Sequence, residues 1–340
     1  MPLRLLHLVG SATDDLFTDL SRLYATDCLA SIEDRDRYES QVAYVTPDGC
    51  WRFPDDLSPD GIAAATPVPV AEAVAHLVGL GVDVMVPQMF CLPGMTSYRA
   101  LFDLLGVPYV GNPPDVMALT ANKARAKAVV AAAGVRVPAG EVLRPGEKPS
   151  IPPPAVVKPV DADNSLGVAL VGAEAEYGPA LAGAFSHAAE ALVETFVELG
   201  REVRCGVLEQ DGRLVCLPLE EYDMDPVGKP IRDAGDKLGR RADGDLMLMA
   251  KDGIRARMVD PGDPLTATVA EVAKRCHVAL GCRHYSLFDF RIDPAGEPWF
   301  LEAGLYCSFA GQSVISMMAA AAGIALPELF ASVLHEALRP

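Results

Sequence analysis

The sequence predicts an α/β unit followed by α+β units. Three observations carry this. At 340 residues the chain holds two or three domains of roughly 100–200 residues each. Short apolar runs alternate with helical spacing over the first 111 residues, the pattern of a parallel sheet with crossover helices. Two hairpin signals stand in the second half.

LRLLHLV (3–9) reads as a buried first strand, and Gly10-Ser11 opens a loop or helix start. AEAVAHLVGLG (71–81) has helical spacing, VDVMVPQM (82–89) is the next strand, YRALFDLLG (98–106) a glycine-stopped helix and VPYVG (107–111) a further strand. NKARAKAVVAAAGV (122–135) combines good helix formers with a terminal glycine. RPGEKPSIPPP (144–154) is a surface connection. AVVKPV (155–160) and GVALVG (167–172) flank the polar loop DADNSL; a helix through 175–190 and the strand ALVETFV (191–197) complete an α+β unit. REVRCGVLE and RLVCLPLEE flank a turn at Gln210-Asp211-Gly212. HYSLFDFRID (284–293) and EPWFLEAG (297–304) flank Pro294-Ala295-Gly296. The charged segment 223–264 reads as loops over a site, and helices are expected at 265–280, 312–322 and 327–338.

Composition limits the function classes. Lys and Arg number 29 against 46 Asp and Glu, a net charge of −17, which disfavours a nucleic-acid backbone as partner. The eight cysteines form no CxxC pair and several lie in apolar runs, the usage of reduced thiols in a cytoplasmic protein. The start MPLRLLHLVGSATDD is not a signal peptide, and no apolar stretch reaches the ~20 residues that span a bilayer. No membrane partner is expected.

The second hairpin carries the sharpest chemistry. With its turn centred on Ala295-Gly296, Asp289 lies directly opposite Glu302. Like charges facing on a ladder are destabilising, and the flanking Leu287, Phe288, Phe290, Phe300 and Leu301 raise the cost by burial. A bridging divalent cation removes the conflict, and carboxylate oxygens suit Mg²⁺. A solvated sheet edge with both acids in water explains the same spacing. Lys123 opens a helix after Asn122, Lys158 ends an apolar strand and Lys237 lies in RDAGDKLGRR. Each either reaches an anion or snorkels to water. The loop Asp163-Asn164-Ser165-Leu166-Gly167 has the composition of a phosphate-binding loop and equally of a plain turn.

In their order PYVGN…NKARAK, AVVKPVDADNSLGV, LVETFVELGREV, the Lys237 loop and FDFRID…FLEAG, these parts resemble the ATP-grasp ligases, in particular the D-alanine–D-alanine ligase branch. The resemblance runs from about Tyr109 to the end and more weakly over the first third. It implies an ATP-grasp fold of three subdomains: a Rossmann-like N-terminal sheet (1–111), a central subdomain (112–197) and a C-terminal subdomain with a Mg²⁺ site (198–340). It implies an ATP-dependent carbon–nitrogen ligase with ATP and Mg²⁺ (Mn²⁺ as a substitute) as cofactors, small-molecule substrates and a homodimer. Lys123 and Lys158 would hold ATP phosphates, with Ser165 in the closing loop. Glu194, Thr195, Phe196 and Val197 match the adenine-binding hinge, and Glu202 the ribose-binding acid. Lys237 matches the lysine reaching the terminal phosphate, and Asp289 and Glu302 the metal carboxylates.

The departures cluster in the amino-acid half. Leu287 replaces the arginine that stabilises the tetrahedral oxyanion in those ligases. Gly304 replaces the asparagine of Glu-Ala-Asn, and Leu238 the tyrosine after the loop lysine. Phe90-Cys91-Leu92-Pro93-Gly94-Met95-Thr96 replaces Gly-Glu-Asp-Gly. These departures, with LHLVGSATDDLFTDLSRLYATDCLA and GCRHYSLFDFRID…FLEAGLYCSFA, are similar to the D-Ala-D-Ala-ligase-like enzymes of mycosporine-like amino acid biosynthesis. Those join serine, threonine or glycine to mycosporine-glycine. That reading expects phosphorylation of a ring carbonyl, which needs no acyl oxyanion donor. Ser313 and Arg283 are then candidate catalytic residues for acceptor binding or proton transfer. His284 fits that role or a structural one, and Gln88 and Tyr98 face either the ring or the core. A peptide or amide ligase with another acceptor, and a nucleotide-binding regulator without turnover, are the competing expectations.

Overall fold

A computed structural model describes residues 1–163, 165–232, 238–240, 246–248 and 256–339. The first sheet consists of β1 (Leu3–Gly10), β2 (Tyr38–Val45), β3 (Trp51–Arg52) and β4 (Val84–Pro87), in the order β3-β2-β1-β4. β1 pairs in parallel with β2 and β4, while the two-residue β3 is antiparallel to β2, so the sheet is mixed at its edge. Its helices are α1 (Asp15–Ser31), α2 (Pro59–Ala64), α3 (Val70–Leu80), α4 (Leu92–Met95) and α5 (Ser97–Leu105). Asp14 caps α1 by accepting from the Phe17 amide at 2.9 Å, an N-cap that satisfies one of the helix's open amides. The segment 107–111 is not a strand: it makes one parallel bridge, Tyr109 to Met85. Pro108 lacks a donor, and the chain then turns away so that the Gly111 amide donates to His284 Nδ1 at 2.9 Å.

His7 in β1 is fully buried, and neither ring nitrogen has a hydrogen-bond partner. Burial pushes its pKa down to about 4. The unfolded chain takes up this proton near pH 6.5, whereas the fold refuses it until about pH 4, so stability falls as pH drops through that window. His7→Leu removes the term. The stability lost between pH 7 and pH 5, measured by urea unfolding, is expected to be about 2 kcal/mol smaller in the variant. Equal losses in both proteins would reject a buried neutral His7.

After α6 (Pro114–Ala121) and α7 (Lys123–Ala132), a four-stranded sheet forms from β5 (Gly140–Leu143), β6 (Ala155–Pro159), β7 (Ala169–Val171) and β8 (Ala191–Thr195), ordered β5-β8-β6-β7 and entirely antiparallel. One helix, α8 (Tyr177–Phe185), covers it, shorter than the expected 175–190. The next elements are β9 (Arg201–Gln210), β10 (Arg213–Cys216), β11 (Glu220–Tyr222), the small pair β12 (Leu238–Arg240) and β13 (Leu246–Leu248), and β14 (Ala256–Met258). They are followed by α9 (Pro264–Leu280), β15 (Tyr285–Ile292), β16 (Pro298–Ala303), α10 (Val314–Ala321) and α11 (Leu326–Ala337). The large sheet runs β14-β11-β9-β15-β16, with β10 also paired to β9. The β9–β10 turn is Asp211-Gly212, with φ of 51° and 73°, the left-handed pair that a tight hairpin requires.

Strand alternation divides the large sheet into two chemically different faces. Val203, Cys205, Phe288, Phe290 and Phe300 pack on α9 and on α6–α7. Each buried phenylalanine contributes roughly 1.5–3 kcal/mol. Helices α6 and α7, which sequence grouped with the central unit, thus bury their apolar side chains in the core of the large sheet. A second core joins Leu5, Val84 and Val86 of the first sheet to Tyr285, Phe309 and the two C-terminal helices. All eight cysteines are free thiols. Among the described residues no single helix is long and apolar enough to cross a membrane.

Candidate active site

The opposite face of the large sheet is charged. Cross-strand partners form the row Glu220–Arg204–Asp289–Glu302 over four strands, and Tyr222–Glu202–Arg291 lies beside it. Asp289 does face Glu302, but the turn is centred one half-residue earlier than expected. Ile292 pairs with Pro298 and Phe290 with Phe300, and the register then shifts before Asp289. Leu301 is therefore an extra residue, a β-bulge of the kind that re-aims side chains beside functional sites. Without the bulge Glu302 would fall on the Phe288–Phe300 side, in the core. With it, Leu301 and Glu302 both reach the cavities described below.

The carboxylates are held by cations. Asp289 accepts from Arg204 Nε at 2.5 Å and Nη2 at 3.0 Å, and from Arg232 Nη2 at 2.9 Å. Glu302 lies 3.6 Å from Lys123 Nζ, which also donates to the Ala162 carbonyl at 2.6 Å. Glu202 accepts from Arg232 at 2.6 Å and from Arg291 at 2.5 Å. Burial works to raise the Glu202 carboxyl pKa, but the two guanidinia hold it below the usual range. Arg232 lies 4.0 Å from the Tyr222 ring centroid and Arg204 5.5 Å from it, so one aromatic ring orients both.

A second charged cluster rises from the four-stranded sheet. Lys158 Nζ lies 2.6 Å from Glu194, and Lys127 donates to the other oxygen of the same carboxylate. All three side chains are buried. Burial depresses Lys127 to about 7. For Lys158 burial acts in the same direction, but the Glu194 charge outweighs it and the net shift is upward.

Two adjoining cavities open on these groups. The smaller, about 90 Å³, is lined by Lys123, Lys158, Ser165, Glu194, Thr195, Val197, Glu202, Asp289 and Glu302 together with Val156, Arg232, Arg291 and others. Ser165 sits in the left-handed region, φ 56°, at the start of the 165–167 turn. Phe196 is outside the lining; its ring lies 5.5 Å from the Arg291 guanidinium. The larger cavity, about 710 Å³, is lined by Phe17, Leu20, Tyr24, Phe90, Leu92 and Met95 on one side and by Arg204, Leu287, Gly304, Tyr306 and Ser313 on the other. Tyr24 and Tyr306 both lie against Phe90, at centroid distances of 5.3 and 5.9 Å. Burial pushes Tyr24 up to about 12 and Tyr306 well above its ordinary value, so both stay neutral phenols. Lys123, Asp289, Glu302 and Arg232 line both cavities, which meet there.

The structure therefore brings together Lys123, Lys158, Ser165, Glu194, Thr195, Val197, Glu202, Asp289 and Glu302. Ser313 lines the large cavity, but its hydroxyl is engaged with the Ser308 carbonyl at 2.7 Å and Ser316 Oγ at 2.8 Å. Arg283 lines neither cavity: its Nε donates to the Gly111 carbonyl at 2.8 Å and its guanidinium lies over Tyr109. His284, Gln88 and Tyr98 are likewise outside both linings. Lys237 lies outside the described residues. Sequence reasoning missed Lys127, Arg204, Arg232 and Arg291. Lys127 stands one helical turn after Lys123, and the alternation in REVRC and FDFRI places Arg204 and Arg291 on the Glu202 and Asp289 face.

The donor set fits a hard divalent cation. Two carboxylates from adjacent strands converge at the cavity junction, and the charge repulsion between them is at present offset by side-chain cations. Gly304, whose missing side chain leaves only Leu287 at 4.0 Å, adds no ligand.

The family model "D-ala D-ala ligase C-terminus" matches residues 146–335. A D-alanine–D-alanine ligase of Mycolicibacterium smegmatis is 30% identical over 90% of this chain and 88% of that protein. One of Citrifermentans bemidjiense is 31% identical over 71% of this chain and 74% of that protein. The fold is similar to the VanG D-Ala:D-Ser ligase of Enterococcus faecalis, with a TM-score of 0.80 and 20% identity, covering 99% of this chain and 100% of that one. The D-alanine–D-alanine ligase of Bacillus anthracis complexed with ATP superposes with a TM-score of 0.72 and 18% identity, over 99% and 98% of the two chains.

Proposed function

The chain belongs to the D-alanine–D-alanine ligase family, and we propose that within it this chain joins an amino acid to mycosporine-glycine. It is an ATP- and Mg²⁺-dependent ligase forming ADP and phosphate. In our reading the small cavity, which must widen beyond about 90 Å³ to do so, takes the nucleotide, with Lys123 and Lys158 toward its phosphates, Ser165 in the covering turn, Glu194, Thr195 and Val197 at the base and Glu202 at the ribose. Asp289 and Glu302 would hold Mg²⁺, which when bound neutralises phosphate charge. The large cavity takes the second substrate and the amino acid.

The observation that carries the finer reading is Leu287 in the wall of the large cavity, two residues before Asp289. A leucine donates nothing to an acyl oxyanion, an interaction typically worth ~2.7–4 kcal/mol. A ring enaminone activated at its carbonyl oxygen avoids that intermediate. The oxygen attacks the terminal phosphorus and ADP leaves. The amine then adds to the ring carbon, loses a proton, and phosphate departs with the carbonyl oxygen to leave a conjugated imine. The phenols and ring of Tyr24, Phe90 and Tyr306 suit such a planar body. An amide ligase using another acceptor accounts for the family membership equally well.

The test is mass spectrometry after incubation with ATP, Mg²⁺, mycosporine-glycine labelled with ¹⁸O at the ring carbonyl, and serine, threonine or glycine. The imine product is expected, with the label in released phosphate. Leu287→Arg, which sets a guanidinium beside a cationic iminium-like centre, is expected to lower turnover. Efficient D-Ala-D-Ala formation from D-alanine, or label retained in the product, would overturn this reading in favour of the amide ligase.

A further inference from the structure

Two guanidinia meet at the junction of the two cavities, each shared between two carboxylates: Arg204 between Asp289 and Glu220, at 3.8 Å, and Arg232 between Asp289 and Glu202. Arg204 and Arg232 both bind Asp289, and both lie against Tyr222, whose hydroxyl donates to Glu220 at 3.0 Å. The sheet places Arg204, and the connection after β11 brings in Arg232. Arg204 is the direct cross-strand neighbour of Asp289 on β9, and Arg232 reaches Asp289 and Glu202 together. Arg204 lines the large cavity and Arg232 both. A divalent cation on Asp289 and Glu302 would draw on the carboxylate that both guanidinia share, while Arg204 keeps Glu220 and Arg232 keeps Glu202. The guanidinium edges now turned to Asp289 then lie between the two cavities, on the path a phosphoryl group takes from one to the other.

We propose that Arg204 and Arg232 form an anion clamp that holds the phosphoryl group, and then inorganic phosphate, at this junction. Arginine's planar fork suits two phosphate oxygens at once, and stacking on Tyr222 preorganises both forks. The clamp does not replace the guanidinium that position 287 lacks. Because Arg204 approaches from the Asp289 side rather than from 287, it stands with the phosphate and not with the carbon under attack. The proposal rests on the ligase reading.

The experiment is titration calorimetry of the whole protein with ADP and Mg²⁺, followed by inorganic phosphate. The wild type is expected to bind ADP·Mg²⁺ and then phosphate. Arg204→Met is expected to weaken phosphate about ten- to hundredfold, with ADP affinity within about threefold, since one charge-assisted pair is lost. Arg204→Lys is expected to recover part of the loss. If Arg204→Met does not fold, Arg232→Met tests phosphate in its place, with a loss of ADP affinity expected as well because Arg232 lines the small cavity and holds Glu202. Phosphate affinity unchanged in the folded methionine variant, with ADP still bound, would overturn the clamp and leave the ligase reading standing. No ADP binding by the wild type would overturn both.

Discussion

Glu302→Gln is expected to lower kcat by about 10²–10³ while leaving the fold intact, and Asp289→Asn to lose as much activity and stability besides. The difference follows from their surroundings. The Glu302 side chain is one-third exposed and its nearest described cation, Lys123, is 3.6 Å away. Asp289 is buried and binds two guanidinia at 2.5–3.0 Å. Neutralising it leaves Arg204 and Arg232 with weaker acceptors in a buried site, a loss on the order of 3–5 kcal/mol. Glu302→Gln is therefore the clean test. Steady-state phosphate release against Mg²⁺ concentration should show a raised metal requirement in both variants. Near-normal turnover in Glu302→Gln would remove the carboxylate pair from the metal site.

Glu194→Gln is expected to destabilise the protein by about 3–5 kcal/mol. Lys127 and Lys158 share the Glu194 carboxylate in a buried cluster, and without it two ammonium groups face each other with only the Glu302 charge acting on Lys158. Urea unfolding at pH 7 measures the loss. Lys127→Met in the same background should restore a large part of it, because Lys127, already depressed to about 7 by burial, is the cheaper of the two charges to remove. A wild-type unfolding midpoint in Glu194→Gln would mean that the carboxylate does not act as the counter-ion of the two lysines.

Much of the small cavity was legible because its parts are local. Lys158 closes an apolar strand, Ser165 follows it in a polar turn, and Glu194 and Glu202 lie within one short stretch. The Asp289–Glu302 apposition was also legible, yet for an incomplete reason. The hairpin turn is not centred on Ala295-Gly296, and a bulge at Leu301 restores the pairing that the simple register assumed. The large cavity was hardly legible. Its wall combines Tyr24 of α1, Phe90, Leu287 and Tyr306, residues from the first and last thirds of the chain, each of which alone reads as core. Arg283, by contrast, looks functional in sequence and is spent tying the Gly111 loop to the large sheet.

The sequence by itself determined the faces. Alternation in REVRC and FDFRI obliges Glu202, Arg204, Asp289 and Arg291 to share one side of their strands and Val203, Cys205, Phe288 and Phe290 the other, because successive side chains point in opposite directions. The tertiary structure decided which charges meet. Whether Arg204 lies beside Asp289 or two residues away depends on how β9 and β15 slide along one another. That register is set by the packing of Phe288, Phe290 and Phe300 against helices distant in sequence. The bulge that carries Glu302 out of the core is fixed by the same packing, since Phe300 must stay inside while the carboxylate two residues later must not.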